Sequence, residues 1–338
     1  MRTHLDPVAQ FQDLLSSTPD VGWAVLGFVL LVVVALTSML GTPRKVSYEG
    51  WHITHALAYV AMAVSIPHQL SMGSLFSDET PSRSYWLGMF AVTGGLLLVY
   101  RVLVPAFASL RHSLVVTRVV PVGPGTVNIE MQGRDLSELG ARAGQYFHWR
   151  FLTPTLWWHQ HPFSLSAKPT ADTLRITVRR LGGGSGALQH VRPGTRVAIE
   201  GPHGLFSDVS RSKVPLVLVG AGIGITPIRA LLEDTYCEPG QAAVILRANA
   251  TEELYLLDEV TDLCAQRGAS LTVLLGPPMP GRWVCPARTD LLLTDLVPYA
   301  RDADVFVCGP PGFTRAFLAD ARALGVPAGQ LHHERFSW

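Results

Sequence analysis

The sequence predicts three architectures in succession: an α-helical membrane segment of three spans, an antiparallel β-barrel, and a doubly wound α/β domain on a parallel sheet. Three observations carry this reading. Long stretches of the first 110 residues lack charge, hydrophobicity alternates with period two from about 112, and strand-like runs alternate with helical ones from about 211. The corresponding limits are 1–20 for an N-terminal segment, 21–111 for the spans, 112–210 for the barrel and 211–338 for the α/β domain, with the last boundary near SDVSRSK at 207–213.

Residues 21–40, VGWAVLGFVLLVVVALTSML, carry no charge for 20 positions. At the helical rise that is about 30 Å, the thickness of a bilayer core. Further apolar runs cover about 51–72 and 85–107, the second broken only by Arg101. The alternative for 51–72, which contains three histidines and Pro67, is a buried core helix. A cleaved signal peptide does not suit the start, because Asp6, Asp13 and Asp20 precede the first run where a short basic region would stand. Arg44 and Lys45 lie between the first two runs and Arg101, Arg111 and His112 at the end of the third, whereas the 73–84 loop has one Arg against two acids. The positive-inside rule then makes this a multi-pass protein of the cell membrane, with its N-terminus outside and the long C-terminal part in the cytoplasm.

A formal net charge of +1 and the lack of a basic stripe argue against a nucleic-acid partner. Cys237, Cys264, Cys285 and Cys308 are scattered with no C-x-x-C pair, so neither a disulfide framework nor an iron–sulfur site is indicated.

Six short runs follow residue 112: SLVVTRVVPV, TVNIEMQG, AGQYFHWRFL, HPFSLSA, DTLRITVRRL and TRVAIEG. Bounded by Gly, Pro and Asp, they read as barrel strands. From 214, PLVLVGAG precedes ITPIRALLED, AAVILRA precedes ATEELYLLDEVTDLCAQRG, SLTVLLG follows, and DVFVCGP precedes GFTRAFLADARALG. Gly220, Gly222 and Gly224 close the first of these strands, Thr226 is placed to cap the next helix, and Pro227 suits its first turn. Such a turn aims backbone N–H groups at a phosphate, although Ile225 occupies the place of the usual third glycine. Arg247 ends the next strand where an acid for a ribose would stand, which favours a 2′-phosphate and NADPH over NADH; a solvated surface Arg is the alternative. Cys308, followed by Gly309, Pro310, Pro311 and Gly312, ends the last strand candidate and would face the reactive end of a dinucleotide; a buried apolar cysteine is the alternative.

In order, HPFSLS, TVRRLGGGSGAL, EGPHGLF, VGAGIGITP, VCGPPG and the terminal ERFSW resemble the ferredoxin–NADP reductase superfamily, in its membrane branch of ferric reductases and NADPH oxidases. The resemblance covers about 112–338 and extends into the membrane part. It implies FAD in the barrel, NADPH (or NADH) in the α/β domain and haem b in the membrane. Phe163 would stack on the isoalloxazine and Ser164 face N5, with Pro162 kinking the strand so that both can do so. His161 stands where the family usually has an Arg on the pyrophosphate, so Arg179 would carry more of that contact. Val178 and Arg179 would line the flavin diphosphate, Ser185 and Gly186 would offer it backbone N–H groups, and Gly201, Pro202 and Gly204 would turn the chain beneath it. Glu334, Phe336 and Trp338 match the terminal acid-and-aromatic pattern, which places a ring beside the flavin. Ser164, Cys308 and Glu334 are the expected catalytic groups.

The run at 51–72 holds His52, His55 and His68 in apolar surroundings, where ionisable residues are costly and point to function. His55 and His68 are 13 residues apart, about 19.5 Å along a helix, and by resemblance would each ligate one of two haems. His52 reads as a spare histidine. The family takes its other two ligands from an earlier helix that this chain does not contain, so the chain is either a truncated product or obtains them from a homodimer mate or a missing transmembrane partner. The leading expectation is a membrane NADPH-dependent flavoenzyme passing electrons through FAD and haem to ferric iron or dioxygen. A haem-free anchored reductase of a cytoplasmic or quinone-like acceptor is the alternative, and a non-catalytic assembly subunit is the third reading.

Overall fold

The computed structural model describes residues 6–18, 20–40, 48–72 and 81–335. Arg44, Lys45, residues 73–80, Phe336, Trp338 and the side chain of His52 lie outside the described residues. The chain divides into two compact units, Met1–Val102 and Leu103–Trp338.

The first unit contains α1 (Pro7–Ser17), α2 (Val21–Leu40), α3 (Tyr48–Met72) and α4 (Pro81–Leu98). α2 and α3 pack closely where Gly27 meets fully buried Ala61: a Cβ at Gly27 would stand 2.9 Å from the Ala61 carbonyl oxygen. Small residues let helix backbones approach in this way. After α4 the helix continues through a π-helical turn, Val99–Leu103, into α5 (Val104–His112). Pro105 has no N–H for the carbonyl four residues earlier, and the widened turn falls just there. Among the described residues, Val21–Met39 and Pro81–His112 are long and apolar enough to cross a membrane. Two helices thus meet that test where the sequence predicts three spans.

The second unit begins with a barrel-like pair of three-stranded antiparallel sheets, ordered β1-β2-β5 and β4-β3-β6. Its strands are β1 (Val115–Gly123), β2 (Thr126–Gln132), β3 (Tyr146–Phe151), β4 (His161–Ser164), β5 (Thr173–Arg179) and β6 (Val197–His203), one for each predicted run. Alternation along β3 sends Phe147, Trp149 and Phe151 into the core, where they meet Leu174, Ile176 and Val178 of β5. A short helix, α6 (Gly183–Leu188), follows β5, and Ser109 of α5 accepts the Ile199 N–H of β6 at 3.0 Å.

The second lobe of this unit is a five-stranded parallel sheet ordered β11-β10-β7-β8-β9. Its strands are β7 (Leu216–Ala221), β8 (Ala242–Ala248), β9 (Ser270–Leu275), β10 (Asp304–Gly309) and β11 (Leu331–Arg335). α7 (Ile225–Asp234) and α8 (Leu257–Arg267) cover one face, while α9 (Leu293–Leu296) and α10 (Pro311–Ala323) cover the other. The strand order reverses between β7 and β10, which makes their carboxyl ends the switch-point crevice of a doubly wound sheet. β11 is absent from the predicted strands. Its sequence LHHER is too polar and short to signal a strand, and it forms by pairing with fully buried β10.

A polar cluster joins the two lobes. Arg175 of β5 donates to both carboxylate oxygens of Glu259 on α8, at 3.1 and 2.8 Å, and Arg229 of α7 lies with Nε 2.8 Å from Glu259 Oε2 as an ion pair. Arg229 also pairs with Glu233, which accepts the Lys168 N–H at 2.6 Å. Burial alone would raise the Glu259 pKa, but the Arg175 and Arg229 guanidiniums reverse this and hold it below the ordinary 4.5. Replacing Glu259 by Gln therefore destabilises the second unit by on the order of 1.5–3 kcal/mol, the range for charge-assisted bonds. Because the folded pKa is depressed, that contribution is complete above pH 4.5 and is lost as pH falls through the lower folded value. Thermal unfolding midpoints of wild type and Glu259→Gln, compared at pH 7 and in acid, should differ at pH 7 and converge in acid.

Candidate functional site

Register places the barrel's functional side chains. β4 pairs with β3 so that Ser164 stands opposite Tyr146, Phe163 opposite Phe147 and His161 opposite Trp149. The Phe163 carbonyl accepts the Trp149 indole N–H at 2.8 Å, and its half-buried ring stacks on His161 at 5.7 Å. His161 is buried and also stacks on His159 at 5.9 Å, so it forms part of a run of rings where a more usual Arg would present a cation.

Ser164 points the other way, and its hydroxyl donates to Glu334 Oε2 on β11 at 3.3 Å. Glu334 lies beside Cys308 in the parallel pairing of β11 with β10. The structure thus brings together Ser164, Glu334 and Cys308, which are distant in sequence. Burial raises the Glu334 carboxyl to about 7, although the Ser164 hydrogen bond pulls it back. Burial also holds the Cys308 thiol well above 9.0, with Glu334 adding to the effect. Cys308 has no exposed surface and packs with Phe306 and Leu218 under α7. A Cys308 side chain facing an open crevice is therefore corrected: the group is a neutral wall behind Glu334.

At the carboxyl end of β7, Gly222 has φ +55° and begins a 3-10 turn that runs directly into α7. Gly224 passes so close to β10 that a Cβ would stand 2.3 Å from the Cys308 carbonyl oxygen. The helix accordingly starts at Ile225 behind the cap residue Gly224, and Thr226 is inside it, donating to the Ile223 carbonyl at 3.0 Å. This corrects the expectation that Thr226 caps the helix, because the glycines turn the chain before Thr226 is reached. Gly220, Pro227, Gly309 and Pro310 flank the same turn and the start of α10.

Two cavities meet at the end of β5, one lined in part by Arg179 and the other by Arg180. One, of about 460 Å³, is lined by Arg179, Gly222, Arg247, Glu253, Arg282 and Pro310 among others, and has the setting for a nucleotide. Arg179 there pairs with Glu253 at 3.1 Å and lies over the Tyr255 ring. Arg247 is buried, not a solvated surface group, and donates to the main-chain carbonyls of Ala248 and Pro277. Burial lowers its pKa, with Cys285 and Glu253 opposing. Arg282 also donates to a main-chain carbonyl, that of Thr289, but it is exposed on the rim, where its guanidinium can turn to a ligand.

The other cavity, about 730 Å³, is lined by Gly125, Arg180, Leu181, Gly182, Gly183, Gly186 and neighbours. At Gly182 and Gly183 an added Cβ would meet nothing within 4 Å. A polyphosphate can approach a backbone this open. Ser185 Oγ accepts the Leu181 and Gly182 N–H groups at 2.9 and 3.0 Å, holding the turn in shape. Val178 does not line this space. Strand alternation buries it in the barrel core, leaving its carbonyl to accept from Gln189 at 3.1 Å.

The adjacent arginines of VRR also separate by alternation, Arg179 to the nucleotide cavity and Arg180 to the glycine cavity; sequence reasoning missed Arg180. It also missed Tyr146, His148 and His203, whose rings lie 5.4–5.7 Å from one another beside Ser164. Tyr146 and His148 are signalled only by outward alternation in GQYFHWR, and His203 only by its place in EGPHGLF. Gly204, at φ +89°, turns the chain against Tyr146. The open glycine floor, the stacked Phe163 and the Ser164 hydroxyl fit an FAD.

In the first unit, His55 Nε2 lies 2.8 Å from Ser38 Oγ of α2, and His68 Nδ1 is buried with no hydrogen-bond partner.

Comparison with known proteins agrees with these lobes. Residues 114–207 match the FAD-binding domain family, 218–318 the oxidoreductase NAD-binding domain family, and 2–66 the ferric reductase like transmembrane component family. The chain is 30% identical over 190 residues to a flavohemoprotein of Vibrio cholerae, covering 52% of this chain and 45% of the relative. It is 32% identical over 184 residues to the ferredoxin reductase component of 3-ketosteroid-9-alpha-monooxygenase of Mycobacterium tuberculosis, covering 52% and 49%. The chain spans about half the length of these curated relatives. In fold it is similar to the FAD/NAD-binding domain of nitric oxide dioxygenase from Vibrio cholerae, with TM-score 0.54, 24% identity and coverage of 67% and 98%. It is likewise similar to a ferredoxin NADP+ reductase from Neisseria gonorrhoeae, with TM-score 0.53, 16% identity and coverage of 67% and 98%.

The Glu334 carboxyl provides a test of the geometry. Its folded pKa of about 7 exceeds the ordinary 4.5, so its contribution to stability is full below 4.5 and is lost as pH rises through 7. Glu334→Gln should therefore gain stability relative to wild type between pH 5 and 8. A protonated-carboxyl infrared band titrating near neutrality should vanish in the variant; retention of the band would assign it to another acid.

Proposed function

Because the chain belongs to the ferredoxin–NADP reductase superfamily, in its ferric reductase-like branch, we propose that it is a membrane-associated NAD(P)H-dependent flavoenzyme that takes hydride from a nicotinamide nucleotide and passes electrons to an acceptor. The observation that carries this reading is the Ser164–Glu334 hydrogen bond, which joins the barrel to the last strand of the nucleotide-binding sheet. FAD, when bound, supplies hydride acceptance at N5 and the release of electrons. Phe163 offers a flat ring for stacking. The Ser164 hydroxyl stands at the same strand end, where its single hydrogen can turn from Glu334 to the flavin. Glu334, with a pKa near 7, can take up or release a proton at the pH of the cytoplasm. Buried, neutral Cys308 keeps water from the wall behind it.

The match over 2–66 and the two apolar helices support membrane association, with three spans and both cofactor lobes in the cytoplasm as the proposed topology. The described residues do not complete a haem site. A bis-imidazole haem needs two histidines per iron, whereas the described side chains of the first unit include only His55 and His68, 13 residues apart on α3, and Ser38 engages His55. The two cofactor lobes carry the flavin reductase reading by themselves, whereas electron transfer through haem requires further imidazoles from outside the described residues. Ferric iron, dioxygen or a quinone-like molecule are the acceptor classes proposed; the reductase component among the relatives supports a separate acceptor.

The purified full chain should show flavin absorbance that NADPH bleaches without oxygen, and combining Phe163→Ala with Ser164→Ala should remove most of the flavin and slow the bleaching. A split α band in dithionite-reduced spectra, lost in His55→Ala and His68→Ala, would instead establish haem. The nucleotide cavity makes a separate forecast. Arg282→Ala should weaken NADPH binding by on the order of 1.5–3 kcal/mol and spare NADH, as loss of a charge-assisted phosphate contact would. Arg247→Ala should weaken both nucleotides alike, because its donors hold main-chain carbonyls. Reversed behaviour would return the 2′-phosphate to Arg247.

A further inference from the structure

α5 is apolar on two faces but packed on only one. Pro105, Ala108, Ser109 and His112, spaced i, i+3, i+4 and i+7, form its buried or half-buried stripe, and Ser109 bonds β6. On the other face Val104, Phe107 and Leu110 are 49%, 64% and 74% exposed. Arg111, which pairs with Glu138, ends this outer face, so the exposed face is apolar along its length with a cation at its end.

A second exposed group lies at the same end of β6. The connection from β3 to β4 presents Trp157 and Trp158, 59% and 43% exposed, together with Leu152. Leu152 donates to the Arg196 carbonyl just ahead of β6, while Ser109 is bonded to Ile199 within it, so helix and loop flank one stretch of strand. Arg150, opposite Ala198, and Arg196 are exposed on the same ground.

The helix that contains α5 indicates what covers this face. It runs from Pro81 to His112, 32 residues. At 1.5 Å per residue that is about 48 Å against a hydrocarbon core of about 30 Å. The apolar run starts near residue 85, after PSRS, so a span of about 20 residues ends near 104 and α5 emerges into the headgroup layer. Indole rings are favoured in that layer because one edge is apolar and the other carries an N–H, and nearby arginines suit anionic lipid phosphates.

We propose that this face of the barrel, the outer stripe of α5 with the Trp157–Trp158 loop and the Arg150/Arg196 pair, rests in the headgroup layer of an anionic bilayer leaflet. This inference rests on the membrane-association reading above. It assigns the apolar loop a task outside the flavin site: holding the barrel at a fixed height on the membrane surface.

The test uses the full chain reconstituted into vesicles of neutral or partly anionic phospholipid whose acyl chains are brominated at a shallow or a deep position, with tryptophan emission as the readout. Quenching by the shallow bromines should fall by about half in Trp157→Phe/Trp158→Phe, since interfacial indoles would carry it. It should be stronger in anionic than in neutral vesicles, and Arg150→Glu with Arg196→Glu should abolish that difference. Trp23, at the start of the apolar helix α2, is the internal control: it sits at an interface of the same bilayer and its contribution to quenching by the shallow bromines should be unchanged in the double variant. Unchanged shallow quenching in the double Trp variant, with the Trp23 contribution intact, overturns the proposal and leaves membrane association standing. Loss of the Trp23 contribution as well overturns both. Shielding of Trp157 and Trp158 from acrylamide that grows with protein concentration, without lipid quenching, identifies a second copy as the occupant and overturns the proposal.

Discussion

The Arg175–Glu259–Arg229 cluster is the constraint on which the rest of the second unit depends. The barrel and the parallel sheet have separate apolar cores, one closed by Phe147, Trp149 and Phe151 and the others divided between the two faces of the sheet. Apolar packing is non-directional and would let such lobes slide. Guanidinium–carboxylate bonds are directional, and at a largely buried seam an unmatched charge is costly, so Glu259 settles where both arginines reach it. Asp304 acts similarly at the opposite edge: fully buried, it accepts the Ser212 and Lys213 N–H groups and lies 2.8 Å from His332 Nε2. The segment joining the lobes is thereby tied to the sheet. With both ends held, Ser164 and Glu334, 170 residues apart in sequence, come within 3.3 Å.

Desolvation also sets the chemistry of the site. It raises Glu334 into the neutral range, keeps the Cys308 thiol protonated, and makes main-chain carbonyls the partners of Arg247. These three side chains sit at or next to the carboxyl ends of parallel strands, yet only Glu334 combines burial with a partner from the other lobe. A carboxyl poised near pH 7 beside a hydroxyl can exchange a proton, whereas a fully buried thiol is inert. The division of roles follows from depth.

Much of the fold was legible because its signals are local. Period-two alternation gave each barrel strand, and the glycines after PLVLV marked the switch-point turn. What remained hidden depended on neighbours. LHHER becomes a strand only because buried β10 offers it a ladder. The split of Arg179 and Arg180 between two cavities depends on which face of β5 meets the core. Thr226 looked like a cap because serine and threonine favour that position, but the preceding glycines had already turned the chain. The three-span reading rested on hydropathy, while α3 carries Tyr48, Glu49, Pro67 and polar His, Ser and Gln residues among its apolar ones.

The central claim is that the barrel strand ending in Ser164 and the sheet strand carrying Glu334 form one hydride-transfer site. The most direct measurement is a cryo-electron density map of the full chain purified with FAD in a lipid nanodisc. The account predicts an isoalloxazine ring stacked on Phe163, with its N5 edge toward Ser164 and its diphosphate over Gly182 and Gly183. A flavin bound elsewhere on the barrel, or a Phe163 ring closed onto protein with no cofactor density beside it, would contradict it.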